Sequence, residues 1–141
     1  MAKKESYFWT YLRGVMAPHW EVDRIESGST THGFPDVVFA TPNVPTGYIE
    51  LKAISEVRKR DTSKLGIQLS QMQVAWLIRR RKLNPWTYVF VKIVPTREYF
   101  LWDAQYSHRL NDATRDSMPP PSATWKNKID PIELLNILEG K

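Results

Sequence analysis

The chain has 141 residues, 42% of them hydrophobic and six of them tryptophan, which is enough for a folded unit with its own core. A net charge of +5 favours a polyanionic partner, and the absence of cysteine excludes a disulfide framework, a thiolate zinc site and a cysteine nucleophile, as a cytoplasmic protein would have it. No run approaches the roughly 20 apolar residues needed to cross a bilayer, and Glu5 and Arg13 interrupt the basic, apolar start in a way no signal peptide allows.

Over residues 5–15, Phe8, Leu12 and Val15 recur at helical steps with Tyr11 beside them, which predicts a first helix with one buried stripe. Glu5 lies on that stripe, in the first turn, where the helix dipole favours an acid and solvent can reach it. Pro18 ends the helix, and the alternation of Trp20, Val22 and Ile25 predicts a first strand. Residues 26–33 read as a loop of small residues, in which Ser29 and Thr30 would supply hydroxyls able to hold a phosphate and His32 would be at most a contact residue.

The next stretch, GFPDVVFATPNVPTGYIELKA from Gly33 to Ala53, reads as two strands joined by Asn43, Pro45 and Gly47. A turn centred on Asn43 sets Asp36 opposite Glu50, Val37 opposite Ile49 and Val38 opposite Tyr48. Glu50 and Lys52 alternate onto one face, so Asp36, Glu50 and Lys52 converge. Two adjacent carboxylates repel unless a cation sits between them, and their hard oxygens suit Mg²⁺ or Mn²⁺. A surface hairpin with one cross-strand ion pair is the competing reading. It is disfavoured because Ile49 and Leu51 would bury the other face.

Beyond Lys52 the chain turns strongly basic, with Arg58, Lys59, Arg60 and Lys64 placed to clamp a nucleic-acid backbone. Ser70 and Gln73 have the spacing of a capping box at the start of a second helix, whose buried stripe is read as Val74, Leu77 and Ile78. A cap alone would tolerate Glu at position 73, leaving stability within about 1 kcal/mol. Residues 79–82 load the last turn with cations, Pro85 stops the helix, and residues 86–94 read as a strand buried on both faces, followed by another over 98–104. A strand, a helix and an apolar strand in succession predict a parallel crossover. Residues 105–128, with Pro119, Pro120 and Pro121, are expected to be an irregular surface arm. Asp130 and Pro131 then open a terminal helix carrying Leu134, Leu135, Ile137 and Leu138, which docks on the core or on a second subunit.

Pro35-Asp36 followed by Glu50-Leu51-Lys52 resembles the motif of the PD-(D/E)XK nucleases, and the run Leu69-Ser70-Gln71-Met72-Gln73-Val74-Ala75-Trp76-Leu77 is similar to the helix of their VRR-NUC branch, the virus-type replication-repair nucleases. Together the two matches cover roughly residues 5–95. The resemblance implies an α/β fold with an α-β-β-β-α-β core and a mixed central sheet, to which the terminal helix is added, the whole forming one nuclease domain with its core over residues 5–104. It implies an endonuclease that cuts DNA with Mg²⁺ or Mn²⁺, held by Asp36, Glu50 and the Leu51 backbone carbonyl. Lys52 would position water and steady phosphate charge, Glu5 would hold a second ion or its waters, and Gln73 would orient the water or a phosphate oxygen. Relatives in phage-like settings process flaps or junctions in DNA repair, and those resolving Holliday junctions are homodimers, so branched DNA and a homodimer are expected partners. A non-catalytic DNA-binding module of the same fold is the rival. Asp36, Glu50 and Lys52 are all present, which counts against it.

Overall fold

The computed structural model describes residues 3–25, 33–56 and 60–140, with the side chains of Lys3 and Lys4 excepted. Six strands form one sheet in the order of the sequence: β1 (Glu21–Arg24), β2 (Val37–Thr41), β3 (Val44–Ile54), β4 (Thr87–Ile93), β5 (Glu98–Asp103) and β6 (Ala123–Lys126). Every neighbouring pair is antiparallel except β3 and β4, which run parallel because α2 (Gln71–Leu83) carries the chain back between them. The expected mixed α-β-β-β-α-β core is therefore the observed one.

Each face of the sheet builds a core. On one, Ile49, Leu51, Phe90 and Leu101 pack with α1 (Lys3–Met16) and α4 (Pro131–Leu138) through Phe8, Trp9, Leu12, Met16, Leu134 and Leu138. On the other, Val89, Val91, Phe100 and Trp102 meet Trp76 and Leu77 of α2 together with Leu65, Ile67 and Leu69. Both faces of β4 are covered, which is why its sequence is apolar almost throughout. Strand β3 differs, since its second face carries Glu50 and Lys52.

Four details depart from the sequence reading. The β2–β3 turn is two residues, Pro42 and Asn43, fastened by Thr41 Oγ1 accepting the Asn43 and Val44 N–H groups. Pro45 and Gly47 lie inside β3: Pro45 and Thr46 together oppose Ala40 in a bulge, where a missing N–H is tolerated, and Gly47 lets the Phe39 ring lie across the backbone. Helix α1 buries Trp9 and Met16 beside Phe8 and Leu12, with Val15 only half-buried, and α2 buries Trp76 in place of Val74 and Ile78 because Phe34, tilted, and Tyr48, edge-on, pack against its indole. Residues 105–128 are not a surface arm. They hold α3 (Ser107–Leu110) and edge strand β6, with Leu110, Ala113 and Trp125 buried and the Pro119 carbonyl accepting the indole N–H of fully buried Trp102 at 2.8 Å. Helix α4 docks on this chain's own core, capped by Asp130 Oδ1, which accepts the Ile132 and Glu133 N–H groups.

Candidate active site

The β2–β3 ladder ends at Val37 and Ile49, in the register expected from the turn. Two residues beyond Ile49, the Leu51 N–H finds no backbone partner from β2, and the Asp36 carboxylate takes its place, with Oδ2 accepting the bond at 2.9 Å. In a strand the N–H and C=O of one residue point to the same flank, so the Leu51 carbonyl faces the side on which Asp36 lies.

Glu50 is 1% exposed. Its Oε2 accepts a hydrogen bond from Gln73 Nε2 at 2.9 Å and lies 3.6 Å from Lys52 Nζ, while its Oε1 is buried with no hydrogen-bond partner. Burial, followed by the charge of Asp36, pushes the Glu50 carboxyl up to about 9 against the pull of Lys52. Burial likewise raises Asp36, opposed first by the Leu51 N–H and then by Lys52. Burial thus disfavours both charges; the nearby Lys52 ammonium offsets this for both, and a hydrogen bond between the two carboxyl groups offsets it for Asp36.

Glu5 approaches from the first turn of α1, which packs on the opposite face of the sheet. Burial raises its carboxyl, Lys52 lowers it and Asp36 raises it, so the three groups feel one another's charge. Among the described residues no group of three or more His, Cys, Asp or Glu side chains is close enough together to hold a metal ion. Asp36 and Glu50 are the carboxyl groups that converge, and the Leu51 carbonyl lies on the Asp36 side of β3.

Gln73 is placed by its helix. Ser70 Oγ accepts the Gln73 N–H at 3.0 Å and Gln73 Oε1 accepts the Ser70 N–H at 2.9 Å, the reciprocal pair expected of a capping box. The remaining end of the same amide reaches Glu50, so cap and site share one side chain. Gly33, at φ +80°, lets the loop before Asp36 press on this turn, where a Cβ would come within 2.5 Å of the Met72 carbonyl oxygen.

Of the expected DNA contacts, Ser29, Thr30, His32, Arg58 and Lys59 lie outside the described residues. Arg60 is exposed; Lys64 pairs with Asp112 at 3.0 Å and, with Lys52, Ser70 and Gln73, lines a cleft of about 710 Å³. The cations at the end of α2 do more than meet the dipole: Arg80 stacks over Trp76 and Tyr48, and Arg81 grips Asp103 through two hydrogen bonds of 2.7 and 3.0 Å. Sequence reasoning missed the extended strap of residues 64–70 and its partner Asn111, although Leu65, Ile67 and Leu69 show the strand period and are all buried.

This architecture, a mixed six-stranded sheet with a helix-covered core on each face, has a counterpart among solved structures. The solved structure of Hjc from Archaeoglobus fulgidus, a Holliday junction resolvase from an archaeal hyperthermophile, is similar to this chain with a TM-score of 0.51 and 16% sequence identity, over 72% of this chain and 76% of that one. No protein-family model and no curated protein matches the sequence. No helix among the described residues is long and apolar enough to cross a membrane.

Proposed function

We propose that the chain is a metal-dependent endonuclease that hydrolyses phosphodiester bonds in branched or flapped DNA. The observation that carries the reading is Glu50: a fully buried acid with one orphaned oxygen, beside a second raised acid and a lysine, on a nuclease-type sheet. Such a group is expensive to bury unless something completes it. Hard oxygens in that arrangement fit Mg²⁺ or Mn²⁺, with Asp36, Glu50 and the Leu51 carbonyl as the donors. The ion would supply positive charge to the phosphate and make a water easier to ionise.

The chain's own residues take the remaining roles. Lys52 positions the attacking water and balances charge on the phosphate; Glu5 serves a second ion or its waters. Gln73 holds the Glu50 carboxyl in place, a different task from touching water or phosphate. Ser29, Thr30, His32, Arg58, Lys59, Arg60 and Lys64 contact the DNA backbone, where each neutralised phosphate releases a counterion. A homodimer suits a junction with two equivalent strands to cut, and a VRR-NUC affiliation in DNA repair, in a phage-like setting and in the cytoplasm, is consistent with the motif at residues 69–77.

The test is incubation of end-labelled four-way junction, flap and linear duplex with Mg²⁺, with Mn²⁺ or with chelator. Metal-dependent nicks, more frequent on the branched substrates, are expected. Binding without any nick under all conditions would leave the non-catalytic DNA-binding module.

A further inference from the structure

We infer that Asn111, from the segment after α3, is a positioning residue for the candidate active site, acting through the Leu69 peptide and the cap of α2 on the Gln73–Glu50 hydrogen bond. Its catalytic half rests on the nuclease reading above; its geometric half does not.

The strap that leads into α2 buries Leu65, Ile67 and Leu69 and leaves its backbone without a strand alongside. Residues 110–114 supply the missing partners. Ala113 C=O accepts the Leu65 N–H at 2.8 Å, Lys64 and Thr114 form an isolated antiparallel bridge, and Lys64 pairs with Asp112. At the last residue before the cap the chain takes another device. Asn111 Oδ1 accepts the Leu69 N–H at 2.8 Å and Asn111 Nδ2 donates to the Leu69 carbonyl at 2.8 Å, so one side-chain amide meets both polar groups of that residue.

Leu110 anchors the grip, since it is completely buried in the core. The Leu69–Ser70 peptide carries this grip directly to the cap, where Ser70 and Gln73 close the box and Gln73 reaches Glu50. Asn111 also lines the cleft that holds Lys52, Ser70 and Gln73. The N-terminus of α2 is therefore fixed on one side by its cap and on the other by a residue 42 positions away in sequence. Small displacements of a positioning group are costly to catalysis, because the productive geometry is lost before the fold is.

The experiment follows the Gln73 side-chain amide by ¹⁵N NMR in the metal-free chain, identified by its absence in Gln73→Glu. Asn111→Ala removes both bonds to Leu69. Asn111→Asp keeps the shape and the acceptor but loses the donor, and so decides the matter if the alanine variant does not fold. Ser107→Ala is the control: it loses a buried hydrogen bond to the Ala104 carbonyl in the same segment without touching Leu69. The Gln73 amide protons are expected to move toward the position of a solvent-exposed glutamine in both Asn111 variants and to stay in place in Ser107→Ala. On junction DNA, kcat should fall about tenfold in the Asn111 variants while KM holds. An unmoved Gln73 amide, an equal movement in Ser107→Ala, or an unchanged kcat alongside a moved amide overturns the inference. A parent chain that never cuts DNA would defeat the nuclease reading, and the amide would still decide the geometric half.

Discussion

Because Gln73 Oε1 is committed to the Ser70 N–H, the amide nitrogen is the end left for Glu50, and the side chain cannot be read as cap or as site residue alone. Glutamate at position 73 would keep the cap acceptor but lose the donor and bring a third acid to a pair already raised. Gln73→Glu should therefore cost more stability at pH 8 than at pH 5, contrary to the near-neutral outcome expected of a pure cap. Ser70→Ala should cost about 0.5 to 2 kcal/mol with little pH dependence. Urea melts of both variants at the two pH values check this, and equal losses for Gln73→Glu at both would return it to the cap. Glu50 itself gives the larger pH effect. Its carboxyl titrates near 4.5 when exposed and at about 9 in the metal-free fold, so between those values the folded chain keeps a proton the unfolded chain has lost. Stability from this group is full below about pH 4.5 and declines as pH rises toward 9, and Asp36 adds to it with the same sign. Thermal melts in chelator should show the parent losing stability over this range and Glu50→Gln losing less; parallel curves would refute the burial argument. Neither effect was legible in the sequence, which showed the convergence of Asp36, Glu50 and Lys52 but not the depth at which Glu50 sits.

At the scale of elements, β3 organises the molecule. It pairs with β2 on one side and with β4 on the other, and its alternation sends Ile49 and Leu51 into one core and Glu50 and Lys52 toward α2. This much could be read from period, because apolar residues on one face and charged residues on the other leave a single workable register. The bulge could not, since Pro45 and Gly47 are turn residues by type and acquire their meaning from Phe39 across the ladder. Phe39 is 1% exposed and stacks on Trp20 at 5.9 Å, so it has little freedom to yield to a new side chain at position 47. Gly47→Ala should accordingly cost about 1–3 kcal/mol by overpacking. Chemical denaturation measures the loss, and a variant as stable as the parent would show that the ring does not rest on the glycine.

On the scale of the whole molecule, the residues after 104 were the hardest to read from their types alone. Strand β6 is four residues with one buried side chain, too short to show a period, and the role of the proline-rich run becomes visible only when Trp102 needs an acceptor for its indole N–H. That segment adds the edge strand β6 to the sheet and, through Asn111, Ala113 and Thr114, holds the strap that leads into α2. Under the proposed function, Asp36, Glu50 and Lys52 together cut DNA with a divalent ion. The most direct measurement is single-turnover cleavage of a four-way junction in Mn²⁺ by the parent, Asp36→Asn, Glu50→Gln and Lys52→Ala, with junction binding followed in parallel in Ca²⁺, whose looser coordination sphere should support binding without cutting. Each substitution is expected to abolish cleavage and leave binding largely intact; near-normal metal-dependent cutting by any two of the three variants would contradict the assignment of these residues.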